Sequence, residues 1–310
     1  MTPQPPLPGI TQQLADLVAR VIAELRPRLI DAALSGNRSE NRNLRHSDNF
    51  LSDYDLWMHG RYRELLTQVL PSYVYASEEA DPQVIGNNPD PDLCVLVDPL
   101  DTSEMAVRAL YGYTHVMLYS KSLRRPIAAV VGDIFHHLQI YVAARDDEGH
   151  DRAFVFTQEG TAFPLRLNRA TPLEQSLITN FFMKPSERFA PLARETRLIG
   201  ELSRPSADGV SRGRIGVDFG SIGLCHIAAG FSDAMIEFAK GFATWDLAPG
   251  HYILQAAGGV VLDLQGQPIP LDYGFGSVPD ITKAMEDRYK FVAASSLPLA
   301  QSILSTLAKS

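Results

Sequence analysis

Cysteine is scarce in this chain. Its 310 residues include two, Cys94 and Cys225, far apart and each among apolar neighbours. That scarcity argues against a disulfide scaffold or a thiolate metal site, and suits a reducing, cytoplasmic setting with inert buried thiols. Basic residues are also outnumbered: 28 Lys and Arg stand against 36 Asp and Glu, a net charge of -8. A broad nucleic-acid footprint needs clustered cations, so no nucleic-acid partner is expected. No apolar run approaches the roughly 20 residues of a membrane helix. The first ten residues lack the basic start and apolar core of a secretory leader, so neither membrane nor export is expected. There is no G-x-G-x-x-G or G-K-[ST] phosphate loop and no internal repeat.

What is present is enough apolar material for one large domain or two moderate ones. Residues 1–9, with four prolines, read as a flexible arm. From Ile10 the residues Leu14, Leu17, Val18, Val21, Ile22, Leu25 and Leu29 recur at steps of three and four. That is the spacing of an amphipathic helix to about Leu34, with Pro27 as a kink or a fresh start. A second helix is expected over Ser52 to Leu70, capped by Ser52 or Asp53, with Leu56, Tyr62, Leu65, Leu66 and Val69 facing the core. A short Y-V-Y-A strand, a loop from Asp81 to Asp92, and an antiparallel meander between Tyr113 and Val155 follow. His136 and His137 are neighbours in the meander and point to opposite faces, a poor shared metal site. Loop residues near 165 mark a boundary between an α+β part over 10–165 and an α/β part over 166–310. In the second part a strand from Ala234 to Phe238 leads through a loop, Ala239 to Thr244, into a helix that Asp246 can cap.

The stretch Val95 to Glu104, V-L-V-D-P-L-D-T-S-E, ends an apolar strand in two carboxylates, Asp98 and Asp101. Two ionised acids crowded at a buried strand tip are costly without a neutralising cation. Glu78, in A-S-E-E after the Y-V-Y-A strand, and Asp246, in W-D-L-A-P-G, also stand where an apolar element meets a turn. Oxygen ligands with no His or Cys partner nearby in sequence favour Mg2+ or Mn2+ over Zn2+. Two such ions about 3.5–4 Å apart clamp the attacking and departing oxygens of a phosphoryl group, which points to a phosphatase.

With A-S-E-E, V-D-P-L-D at 97–101, and W-D-L-A-P-G at 245–250 followed by G-G-V-V-L-D, the chain resembles the inositol monophosphatase superfamily of metal-dependent, lithium-sensitive phosphatases. Glu78 stands 20 residues before Asp98, as that family shows, and the similarity runs from the first helix to the C-terminus. The resemblance implies a layered αβαβα sandwich of α+β and α/β halves, a homodimer, and a small phosphorylated metabolite as substrate. It implies that Glu78 and Asp98, with the main-chain carbonyl of Leu100 and the hydroxyl of Ser103, hold a first Mg2+. Asp98, Asp101 and Asp246 hold a second, and a looser third ion shares Glu78. Asp55 matches the aspartate of the family's T-x-A-D and pairs with Ser103 to orient and deprotonate the attacking water. Glu237, in D-A-M-I-E, resembles the family's D-A-Y-x-E and meets substrate hydroxyls, with Asp101, Thr102, Ser103 and Asp246 completing the substrate side.

The departures fall after Asp101. Thr102 replaces a glycine that brings backbone N–H groups close to phosphate, Glu104 adds a carboxylate, and Met105 and Ala106 replace the usual Asn and Phe. The expected activity is a Mg2+-dependent phosphomonoesterase for a polyol, sugar or nucleotide monophosphate. Two alternatives stand beside it. One is a bisphosphatase for fructose-1,6-bisphosphate or 3'-phosphoadenosine 5'-phosphate, with Lys240 and nearby arginines as a second anion site. The other is a non-hydrolytic phosphoryl-ligand binder.

Overall fold

The structure, a computed structural model, describes residues 7–41, 43, 45, 49–167 and 170–308. Of the expected arm, residues 1–6 lie outside the described residues, and Gly9 already opens the first helix. The chain divides into two compact units, Met1–Pro164 with Leu271–Glu286, and Leu165–Pro270 with Asp287–Ser310. The first break falls beside residue 165; the return of Leu271–Glu286 to the first unit has no counterpart in the sequence reading. Each unit is a mixed sheet with helices, in keeping with the layered α/β class.

In the first unit α1 (Gly9–Ser35) buries all seven residues of its apolar stripe and runs unbroken through Pro27. Leu25 and Leu29, buried on either side, hold the helix across a residue that removes one backbone hydrogen bond. A two-stranded ribbon, β1 (Glu40–Asn41) with β2 (Leu51–Ser52), precedes α2 (Asp53–Val69). Met58, not Leu56, completes the buried stripe of α2: Leu56 is 48% exposed and Met58 fully buried.

The main sheet contains β3 (Ser72–Ser77), β4 (Ala80–Gly86), β5 (Leu93–Asp101), β6 (Tyr113–Ser120), β7 (Arg125–Asp133), β8 (Leu138–Arg145), β9 (Asp151–Thr157) and β10 (Ala162–Leu165). Its spatial order is β10-β9-β8-β7-β6-β5-β3-β4. Half of the loop expected over Asp81 to Asp92 is therefore the edge strand β4. Pro82 is tolerated because it falls at the register shift opposite Tyr75 to Ser77, where no ladder hydrogen bond is required of it. The returning segment packs on this sheet: its helix Val278–Ala284 meets β4, the Phe275 ring lies 5.0 Å from Tyr119, and the Tyr119 hydroxyl donates to Asp272 Oδ1 at 2.7 Å.

A one-turn helix, α3 (Ser103–Ala106), follows β5. The second unit contains β11 (Leu177–Asn180), α4 (Ala190–Ala193), α5 (Thr196–Leu202), β12 (Arg214–Val217), α6 (Gly220–Ala228), β13 (Ala234–Ala243), α7 (Thr244–Ala256), β14 (Val260–Asp263), β15 (Arg288–Ala294) and a closing helix Leu297–Thr306. Its sheet runs β12-β11-β13-β15-β14, parallel around β11 and antiparallel around β15. The expected loop from Ala239 to Thr244 is mostly the far half of β13, which resumes pairing with β15 after an irregularity between Glu237 and Phe242.

Candidate functional site

The geometry around Asp98 begins with a bulge. In a regular strand residues three apart point to opposite faces. Here β5 pairs Asp98 with His115 and Asp101 with Tyr113, three steps on one strand against two on β6, so an extra residue is taken up at Pro99 and Leu100. The phase change turns both carboxylates toward His115. His115 Nδ1 lies 3.7 Å from Asp98 Oδ2, and Nε2 lies 3.5 Å from Asp101 Oδ2. Asp98 and His115 are buried, and each of the three residues offers a ligand atom within 4.8 Å of the others. Two carboxylates and an imidazole so placed form a donor set that fits a divalent cation. No histidine stands beside these acids in the sequence, yet one joins them in the fold. His115 is distant in sequence from Asp98, and only the strand pairing brings them together.

Asp55 is placed by a helix cap. Ser52 and Asp55 form a capping box at the head of α2, with the Ser52 backbone N–H donating to Asp55 Oδ2 at 2.7 Å and the Ser52 hydroxyl at 2.6 Å. The other oxygen, Oδ1, accepts from the Ser103 hydroxyl at 2.5 Å, joining α2 to the turn after β5. Ser103 Oγ also lies 2.8 Å from the main-chain carbonyl of Leu100. Burial raises the Asp55 carboxyl to about 6, against hydrogen bonds from Ser103 and Ser52 that lower it.

Glu78 follows the tip of β3. Its backbone N–H donates to the Val97 carbonyl at 3.3 Å, and Asn49 Nδ2 donates to its carboxylate at 3.2 Å. Its neighbour Glu79, the last acid of A-S-E-E, is given no site role by the sequence. Burial, and then the charge of Asp55, raise Glu79 to about 7, with Arg45 opposing. Its only sequence signal was the doubled acid of A-S-E-E.

Thr102 has φ 64° and ψ 36°, the left-handed conformation natural to glycine, so the backbone shape is kept although the residue is not. Its hydroxyl lies 3.4 Å from Asp101 Oδ1. Glu104 is half-exposed and ion-paired with Arg108 at 3.1 Å, a cation from its own chain.

Glu237 and Asp246 belong to the second unit. Glu237 is fully buried, with Oε2 accepting from Arg188 Nε at 2.6 Å and Oε1 from the backbone N–H groups of Ala239, Lys240 and Gly241 at 3.0–3.2 Å. The carboxylate expected to meet substrate hydroxyls is thus committed to folding its own strand irregularity. Lys240, the candidate for a second anion site, stands 3.1 Å from Glu187. Asp246 sits in the first turn of α7, where Oδ2 accepts from the Ala243 backbone N–H at 3.3 Å. Its carbonyl accepts from Ser221 Oγ at 2.7 Å. His136 and His137 are not part of the Asp98 cluster, and His226 pairs with Asp218 at 2.8 Å.

A family model described as "Inositol monophosphatase family" matches residues 9–298. Among curated proteins, "Nus factor SuhB" of Pasteurella multocida (strain Pm70) is 23% identical over 223 residues, 72% of this chain and 75% of its own. Among solved structures, the extragenic suppressor protein suhB from Bartonella henselae superposes with a TM-score of 0.67 at 17% identity, covering 97% of this chain and 99% of that one. The inositol monophosphate-bound SaIMPase-II gives a TM-score of 0.62 at 15% identity, over 96% and 93%. At such identities the structural likeness is one of fold. No helix among the described residues is long and apolar enough to cross a membrane.

Proposed function

The chain belongs to the inositol monophosphatase family, and on that premise we propose that it is a divalent-metal-dependent phosphomonoesterase for a small polyol, sugar or nucleotide monophosphate. The observation that carries this is the hydrogen bond from Ser103 to Asp55 beside the Asp98 and Asp101 pair. Asp98, Asp101 and the tip residue Glu78 are the proposed holders of metal in the first unit, and the Leu100 carbonyl faces Ser103. For Asp246 the proposed role is the ligation that the resemblance implies. A bound divalent ion supplies neutralising charge at the phosphoryl group and acidifies water.

The remaining work falls to the chain's own groups. Ser103 Oγ carries one proton, and donating it to Asp55 Oδ1 leaves the oxygen lone pairs free to accept from the attacking water. The proton taken from that water is then held between Ser103 Oγ and Asp55 Oδ1, in a pocket where two bonds from Ser52 keep the carboxylate from turning. The glycine-like backbone of Thr102 and the pairing of Glu104 with Arg108 support this reading over a non-hydrolytic binder. The inositol monophosphate bound to SaIMPase-II supports the substrate class.

The test is phosphate release from a panel of inositol, sugar and nucleotide monophosphates with Mg2+ or Mn2+ added. Turnover is expected for the native chain, with a loss of about 100-fold or more for Asp98→Asn. No release from any member, or undiminished release by the variant, would sink the reading.

A further inference from the structure

We infer that His115 is a metal ligand, and that it makes the Asp98–Asp101 site select a nitrogen-accepting transition ion such as Mn2+, Co2+ or Zn2+ over Mg2+. The inference rests on the metal site proposed above and concerns which ion it takes.

Three observations carry it. The β5 bulge and the Asp98–His115 register fix the imidazole between the two carboxylates, so its placement is a property of the backbone and not of a flexible side chain. His115 is 0% exposed, which leaves the ring little freedom to turn elsewhere. The separation of 3.5 Å between Nε2 and Asp101 Oδ2 also matches two donors on one ion. Ligands about 2.0–2.2 Å from a metal and at tetrahedral angles to each other stand about 3.3–3.6 Å apart.

Ligand chemistry then decides the ion. Mg2+ seeks oxygen donors in a near-octahedral shell and keeps several waters, and an imidazole occupies the room of such a water without replacing it well. Mn2+, Co2+ and Zn2+ accept imidazole nitrogen, with affinity rising along the first-row series. Two carboxylates and one neutral imidazole also balance a doubly charged ion.

The test uses the full chain, stripped with chelator and titrated by calorimetry with MgCl2, MnCl2 and CoCl2. Native protein is expected to bind Mn2+ and Co2+ at least about 10-fold more tightly than Mg2+, and His115→Ala to lose about 10-fold or more of that preference. The Mn2+-loaded native protein should show imidazole-nitrogen modulation in pulsed electron paramagnetic resonance, a readout that needs no variant to fold. His115→Gln, which keeps bulk but removes the ring, should lose that modulation. Mg2+ binding as tight as Mn2+ with no nitrogen signal overturns the inference while leaving the metal phosphatase intact. Absence of binding by any of the three ions overturns both.

Discussion

Thr102 places a β-branched residue in left-handed backbone, where its Cβ crowds the following carbonyl at a cost of about 1–2 kcal/mol. Thr102→Gly removes that strain but adds unfolded-state freedom, so a net gain of about 0.5–1 kcal/mol is expected by urea denaturation. Because the native backbone already has the glycine shape, phosphatase turnover should change by less than about tenfold. A much larger rise would mean that the turn after Asp101 is deformed in solution. At this scale legibility was uneven. Asp55 and Ser103 could be paired through the family resemblance, whose motifs name both positions. His115 could not, since its chemistry depends on which residue of β6 lies opposite Asp98. Glu237 fitted its motif by identity, yet its oxygens are committed to Arg188 and three backbone N–H groups.

Among the elements, β13 depends on the Arg188–Glu237 pair. Arg188 is 6% exposed and stacks over Phe181 at 4.4 Å, and Glu237 is fully buried. Removing the cation leaves a buried carboxylate uncompensated, so Arg188→Met is expected to cost about 3–5 kcal/mol in urea unfolding. A loss below about 1 kcal/mol would show that the strand irregularity opens to water. Helix α7 carries a second buried group, His251, whose imidazole burial pushes down from 6.5 to about 3. The unfolded chain takes up the proton first. The stability from this site is full above about pH 6.5 and drains away as pH falls toward 3. His251→Gln should therefore lose less stability than the native protein between pH 7 and pH 4, and equal slopes would refute the burial of a neutral ring. The helices with clean apolar stripes were readable. β4 was not, because an edge strand bearing Pro82 at a register shift looks like a loop until its neighbour is known.

For the whole molecule, bound metal adds stability that grows with the logarithm of its free concentration over the dissociation constant. At about 100 times the dissociation constant the gain is about 2.7 kcal/mol. Chelation is thus expected to lower the melting temperature by about 5–10 °C, and re-addition of Mn2+ to restore it; an unmoved transition would mean that the native fold holds no ion. The sequence offers a single boundary near residue 165 and no sign of the return of Leu271–Glu286, since its anchors, Tyr119 to Asp272 and Phe275, are far apart in sequence. That return bears on synthesis. The first unit reaches Pro164 early, yet the segment that packs on β4 emerges about 120 residues later, an interval of about 6–24 s at ordinary translation rates. Until then the surface on which that segment packs stays open to solvent, and its exposure to misassociation is set by the ribosome's pace as much as by the stability of the finished fold.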